Sequence, residues 1–218
     1  MKILALEFSS PQRSVAVLNP QAGSVAEVVD TAPGYTMKPF ALIESALRQA
    51  GVEREQIECV AVGLGPGSYN GIRAAIALAQ GWQLARGIKL AGVSSAECVA
   101  AQAVAGGVTG SFNVVIDAQR GEFYLAGYEV VAGMVREISP LRILTAEAVR
   151  EREQAGERMV GPEVIRWFPG GRQLYPRAEV LAQLVAGRKA FVPGEKLEPI
   201  YLRETSFVKA PPPRRLSE

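Results

Sequence analysis

The sequence predicts an α/β protein of two lobes, and three observations carry that expectation. Short apolar runs rich in β-branched residues alternate with stretches whose apolar positions recur at helical spacing. Two such series are separated by Gly106-Gly107 and Thr109-Gly110-Ser111, and each opens with a strand ending in an acid, Glu7 in the first and Asp117 in the second. With 218 residues, 48% of them hydrophobic, the chain is long enough to bury one large domain or two small lobes.

The first series reads strand, hairpin, strand. Ile3 to Glu7 is followed by a turn at Ser9-Ser10-Pro11-Gln12, and Arg13 to Leu18 alternates as a second strand. Turn chemistry at Asn19-Pro20-Gln21-Ala22-Gly23 leads into a third, Ser24 to Thr31. Thr36 to Ala50 carries Phe40, Ile43, Leu47 and Ala50 at helical spacing, with Gly51 as its stop. Ile57 to Gly63 is a buried strand, Gly65 to Gly71 a glycine-rich loop, and Ile72 to Arg86 a helix. Lys89 to Val93 is a further strand, and Ser94-Ser95-Ala96-Glu97 caps a helix running to Ala105.

In the second series, Phe112 to Asp117 and Glu122 to Val131 are strands joined by a turn at Gln119-Arg120-Gly121. A strand over Arg142 to Leu144, a charged helix over Ala146 to Glu153, a short apolar run at Met159-Val160-Gly161 and a helix from Arg177 to Ala186 follow. The expected lobes are residues 1–105 and 106–218, with a flexible tail from about 207 that contains Ala210-Pro211-Pro212-Pro213-Arg214-Arg215.

Composition excludes several chemistries. There is no histidine, which removes histidine triads, HExxH zinc sites and the commonest general base together. Cys59 and Cys98 stand far apart without metal-ligand spacing and read as buried thiols of a reducing cytoplasm. A net charge of +2, from 24 basic and 22 acidic side chains, is a poor basis for gripping nucleic acid alone. The apolar run that starts at Met1 meets Glu7 too soon for a signal peptide or membrane span, so a cytoplasmic protein with no membrane contact is expected.

Strand, glycine loop and helix is a generic anion-binding geometry, because free N–H groups at a helix start point at the ligand. The loop here is neither GxxxxGK[ST] nor a correctly spaced GxGxxG, and the competing reading is a tight connection whose glycines let elements pack closely. Ser68 in this loop has no histidine base to activate it, and a serine at such a turn usually caps the helix. The helix that follows is apolar around its whole circumference, broken mainly by Arg73, Gln80, Gln83 and Arg86. Two readings stand: it lies sandwiched within its own lobe, or part of it meets another protein with Trp82 or Tyr69 as anchor.

Ile3 to Ser10 with Ser14 to Val17, Ala61 to Arg73, Gly92-Val93-Ser94-Ser95, Ile116 to Tyr124 and Pro199-Ile200-Tyr201-Leu202-Arg203 together resemble the TsaB (YeaZ) family, in its order and over nearly the whole chain. The resemblance implies an actin-like fold, the one shared by acetate kinase, heat-shock chaperone ATPases and actin. It implies a non-catalytic subunit that pairs with a TsaD-like enzyme transferring threonylcarbamoyl to adenosine 37 of tRNA. A TsaE-like ATPase is implied as a third component, tRNA is met only through the complex, and a homodimer is implied for the chain alone. No cofactor is expected on this chain, and ATP and a metal are implied for the partner subunits. The implied partner interface falls on Phe40, Ile43, Leu47, Tyr69, Ile72, Arg73, Ala75, Ile76, Ala79 and Trp82.

The sequence departs from the family pattern at Glu7, where Asp is usual, at Tyr69-Asn70, where Phe-Thr is usual, and at Tyr35 to Lys38, where the family often has a histidine. The alternative function is a stand-alone actin-fold ATPase or kinase with Glu7 and Asp117 around a magnesium nucleotide, since two carboxylates at strand ends are what such a site needs. Against it, acids at strand ends commonly accept N–H groups of the next turn.

Overall fold

A computed structural model describes residues 1–31 and 38–203. The first sheet contains β1 (Ile3–Glu7), β2 (Arg13–Asn19), β3 (Ser24–Asp30), β4 (Cys59–Gly63) and β5 (Lys89–Val93) in the order β3-β2-β1-β4-β5. Its first three strands form an antiparallel meander, and β4 and β5 add in parallel beside β1. The second sheet contains β6 (Ser111–Asp117), β7 (Glu122–Val131), β8 (Met134–Thr145), β9 (Met159–Gly161) and β10 (Arg172–Gln173), in the order β10-β9-β6-β7-β8. Read from β8 this is the same plan: an antiparallel meander with two parallel strands on the far side of the first. The doubled five-stranded arrangement with flanking helices is the actin-like fold.

β1 and β4 are buried along their whole length, which is why both read as unbroken apolar runs up to the terminal acid or glycine. Alternation sends Leu4, Leu6 and Val62 toward α1 (Pro39–Ala50) and α2 (Tyr69–Arg86). Ile3, Ala5, Cys59 and Ala61 face the other way, against α5 (Ala178–Ala186). The second sheet buries Phe112, Val114 and Ile116 against α3 (Ser95–Ala105), and Val115, Phe123 and Leu125 beside α4 (Ala146–Gln154).

The helices are therefore exchanged across the Gly106-Gly107 turn. α3 precedes it yet supplies Ala96, Val99 and Ala103 to the second core, whereas α5 follows it and covers the first sheet. The segment after α5 also returns to the first lobe, where the Val192 N–H donates to the Leu90 carbonyl at 2.9 Å and Leu197 enters the core. A cut between residues 105 and 106 thus assigns the sheets to separate lobes but not the helices.

Several elements differ in extent from the sequence reading. β8 runs over Met134–Thr145 and not only over Arg142 to Leu144. Its Pro140, Arg136 and Glu137 hide a strand in the sequence, but an edge strand tolerates proline and charge because one side of its ladder is unpaired. α2 begins at Tyr69, three residues before the predicted start, because Ser68 caps it. α1 starts at Pro39 and stops at Gly51, which adopts φ +61°. The predicted helix start at Thr36 and the proline-rich tail lie outside the described residues. No helix among the described residues is long and apolar enough to cross a membrane.

Candidate partner interface and interlobe cleft

α1 lies over β2 and β3, and α2 over β4 and β5, on one face of the first sheet. Six of the ten residues predicted to meet a partner (Ile43, Leu47, Ile72, Ala75, Ile76 and Ala79) are buried in the chain's own core and point away from any partner. This corrects their assignment, because the sheet takes the face of α2 on which they lie. Phe40 and Tyr69 are exposed, at 68% and 52%, Arg73 is exposed, and Trp82 is half-buried against the core.

The outward row of α2 consists instead of Arg73, Ala77, Gly81 and Leu84, the last 91% exposed. Sequence reasoning missed Ala77, Gly81 and Leu84 because the polar positions of α2 suggested the wrong outward side. Gln80 Nε2 donates to the Gly194 carbonyl at 2.8 Å, and Gln83 Oε1 accepts the Gly194 N–H at 2.7 Å. Two of the four polar breaks thus face the chain's own late segment, while a leucine faces solvent, the reverse of an ordinary amphipathic surface helix.

The glycine loop is closed on itself. Leu64 N–H donates to the Val93 carbonyl, Gly65 N–H to Ser95 Oγ, Ser68 N–H to the Ser9 carbonyl and Gly71 N–H to Ser68 Oγ. Gly71 sits against the first turn so tightly that a Cβ there would lie 2.0 Å from the Phe8 carbonyl oxygen. These donors, which an anion would need, hold the turn after β1 against the start of α2, as the close-packing reading expects.

Glu7 is completely buried at the centre of this junction. Its Oε1 accepts the Ser9 N–H at 2.8 Å and its Oε2 the Ser95 hydroxyl at 3.0 Å. Gly63 leaves the space: a Cβ on it would fall 2.0 Å from Glu7 Oε2. Burial pushes the Glu7 carboxyl above its ordinary value, against the hydrogen bonds from Ser9 and Ser95. Burial also raises both thiols, Cys59 to about 12 and Cys98 well above its usual range, so neither is a ready nucleophile.

Between the lobes runs a cleft of about 540 Å³, lined by Ser9, Ser10, Arg13, Gly67, Ser68 and Tyr69 on one side and by Asp117, Gln119, Tyr124 and Glu163 on the other. Glu7 is not in its lining. Asp117 is, but its oxygens accept from the Gln119 N–H at 2.7 Å and from Gln119 Nε2 at 3.1 Å. The two carboxylates therefore do not converge on one site. A magnesium nucleotide, which the actin-like fold otherwise implies, is not matched by these residues.

The model of the family described as TsaD, tRNA N6-adenosine threonylcarbamoyltransferase, matches residues 36–159. Over 93% of this chain and 95% of the relative, the sequence is 31% identical to the tRNA threonylcarbamoyladenosine biosynthesis protein TsaB of Escherichia coli (strain K12). The chain belongs to the TsaB (YeaZ) family. The TsaB protein of Haemophilus influenzae is 29% identical over 97% of the chain and 98% of its own length. The solved structure of YeaZ from Pseudomonas aeruginosa superposes with a TM-score of 0.77 at 26% identity, covering 92% of this chain and 99% of that one. As a TsaB-family member the chain takes its place among proteins of threonylcarbamoyladenosine biosynthesis in tRNA.

Proposed function

We propose that this chain is a non-catalytic subunit of the machinery that makes threonylcarbamoyladenosine in tRNA, and that it docks a TsaD-type transferase on the outward face of α2. The observation that carries the reading is the contiguous solvent-facing row of Ala77, Gly81 and Leu84, continued at its N-terminal end by Tyr69 and, on α1, by Phe40. Scattered exposed apolar residues are ordinary, but a row along one helix has the character of a contact surface. Small side chains let a partner helix approach, and Tyr69 supplies a rigid anchor.

The TsaD family model supports the reading, since its match includes α1, the glycine loop and α2. So does the self-satisfied junction around Glu7, which leaves the cleft without a pair of free carboxylates. In this reading ATP and metal are held by the partner subunits, a TsaE-like ATPase joins the pair, tRNA is met through the assembly, and the same α2 face supports a homodimer when the chain is alone.

The test is sedimentation of the chain with the TsaD-type protein of the same organism. Ala77→Arg and Leu84→Glu, both on the outward row, should leave the fold intact and weaken association at least about tenfold. Ala75→Arg, aimed at the core, should fail to fold. Wild-type affinity in the two outward variants, or ATP turnover by the isolated chain that is lost in Asp117→Asn, would overturn the proposal.

A further inference from the structure

We propose that residues 198–203 form a strap that fixes the mouth of the interlobe cleft, with Arg203 as its positioning residue. The Ile200 N–H donates to the Leu64 carbonyl at 2.9 Å, which ties the segment to the glycine loop of the first lobe. Tyr201 stacks on Tyr69 of α2, with ring centroids 5.6 Å apart, and Tyr69 lines the cleft. Two residues later the strap has crossed to the second lobe. There Arg203 Nη2 donates to the Ala118 carbonyl at 2.9 Å, to the Gln119 carbonyl at 3.4 Å and to Glu122 Oε2 at 2.6 Å. Six consecutive residues therefore touch both walls of the cleft.

The turn that Arg203 holds is one that needs holding. Gln119 and Arg120 are consecutive non-glycine residues in the left-handed region, at φ +65° and +59°. Side chains there crowd the backbone, and such conformations persist only where the surroundings over-determine them. Asp117 and Glu122 fasten the turn from inside, through the bond from the Gln119 N–H to Asp117 and that from the Glu122 N–H to the Gln119 carbonyl. Arg203 is the attachment from the first-lobe side, and its charge-assisted bonds are of the stronger kind. The inference is independent of the partner proposed for α2, because it concerns the isolated chain.

Amide hydrogen exchange of the full chain tests it, with Arg203→Ala, Arg203→Lys and Tyr201→Ala beside the wild type. In Arg203→Ala the amides of Ala118, Gln119 and Glu122 should exchange roughly tenfold faster or more, while those of β1 and β4 keep their rates. Arg203→Lys, which keeps a cation with several donors, should recover part of the protection. Tyr201→Ala should loosen the same turn by less. Unchanged exchange at the turn in Arg203→Ala would overturn the proposal, as would a uniform rise through both sheets, which would make Arg203 a general stability residue.

Discussion

β1 and β6 hold the same central place in their sheets, and both end in a carboxylate followed by a turn, yet Glu7 is buried while Asp117 lies on the cleft. The difference comes from what arrives after the next parallel strand. In the first lobe β4 leads through the glycine loop into α2, and Ser95 at the start of α3 reaches over to close the site with a hydrogen bond to Glu7. In the second lobe β9 leads only into a short 3-10 turn at Val164–Arg166, and Asp117 bonds within its own turn. Strand topology alone does not make an acid available for chemistry; the elements packed over the turn decide it.

Substitutions can break this comparison, and the largest effect belongs to the first-lobe junction. Gly71→Ala forces a methyl into the Phe8 carbonyl, backbone against backbone, and should cost about 4 kcal/mol, read from denaturant unfolding. Next is Glu7→Ala, which strands the buried Ser9 N–H and the Ser95 hydroxyl and should cost about 2–4 kcal/mol. Asp117→Ala in the second lobe should cost about 1 kcal/mol or less, since its partners belong to one solvent-accessible turn. Equal losses for the two acids would mean that the lobes use them alike.

The smallest effect is a pH dependence. Burial raises the folded Glu7 carboxyl above its ordinary 4.5, so the folded chain binds this proton more tightly than the unfolded chain. That contribution is complete below about 4.5 and is lost as pH climbs through the raised value. Thermal unfolding of wild type and Glu7→Gln should therefore compare more favourably for wild type at pH 4 than at pH 7. A gap that widens in wild type's favour toward neutral pH would mean that the hydrogen bonds from Ser9 and Ser95 outweigh the desolvation.

Much of the fold was legible in the chain. Apolar runs bounded by turn residues located β1, β4, β5, β6 and β7, and Gly51 marked the end of α1. The missing length of β8 was not legible, because an edge strand with Pro140 and alternating charges carries no continuous apolar signal. For the candidate site, sequence reading singled out α2 and its unusual composition but selected the buried face. Residues such as Ala75 and Ala77 are chemically the same, and nothing local says which of them meets the sheet.

The sequence by itself determined the kinds and order of the elements, the glycine loop between β4 and α2, and the exclusion of histidine chemistry. Those properties follow from local spacing and residue type. Only the tertiary structure decided that Glu7 is sealed, that α5 returns to the first sheet, and that Leu84 faces out while Gln80 and Gln83 face in. The physical reason is range: Gly194, which claims both glutamines, lies 114 and 111 residues along the chain from them, and periodicity within a helix carries no record of a partner that distant.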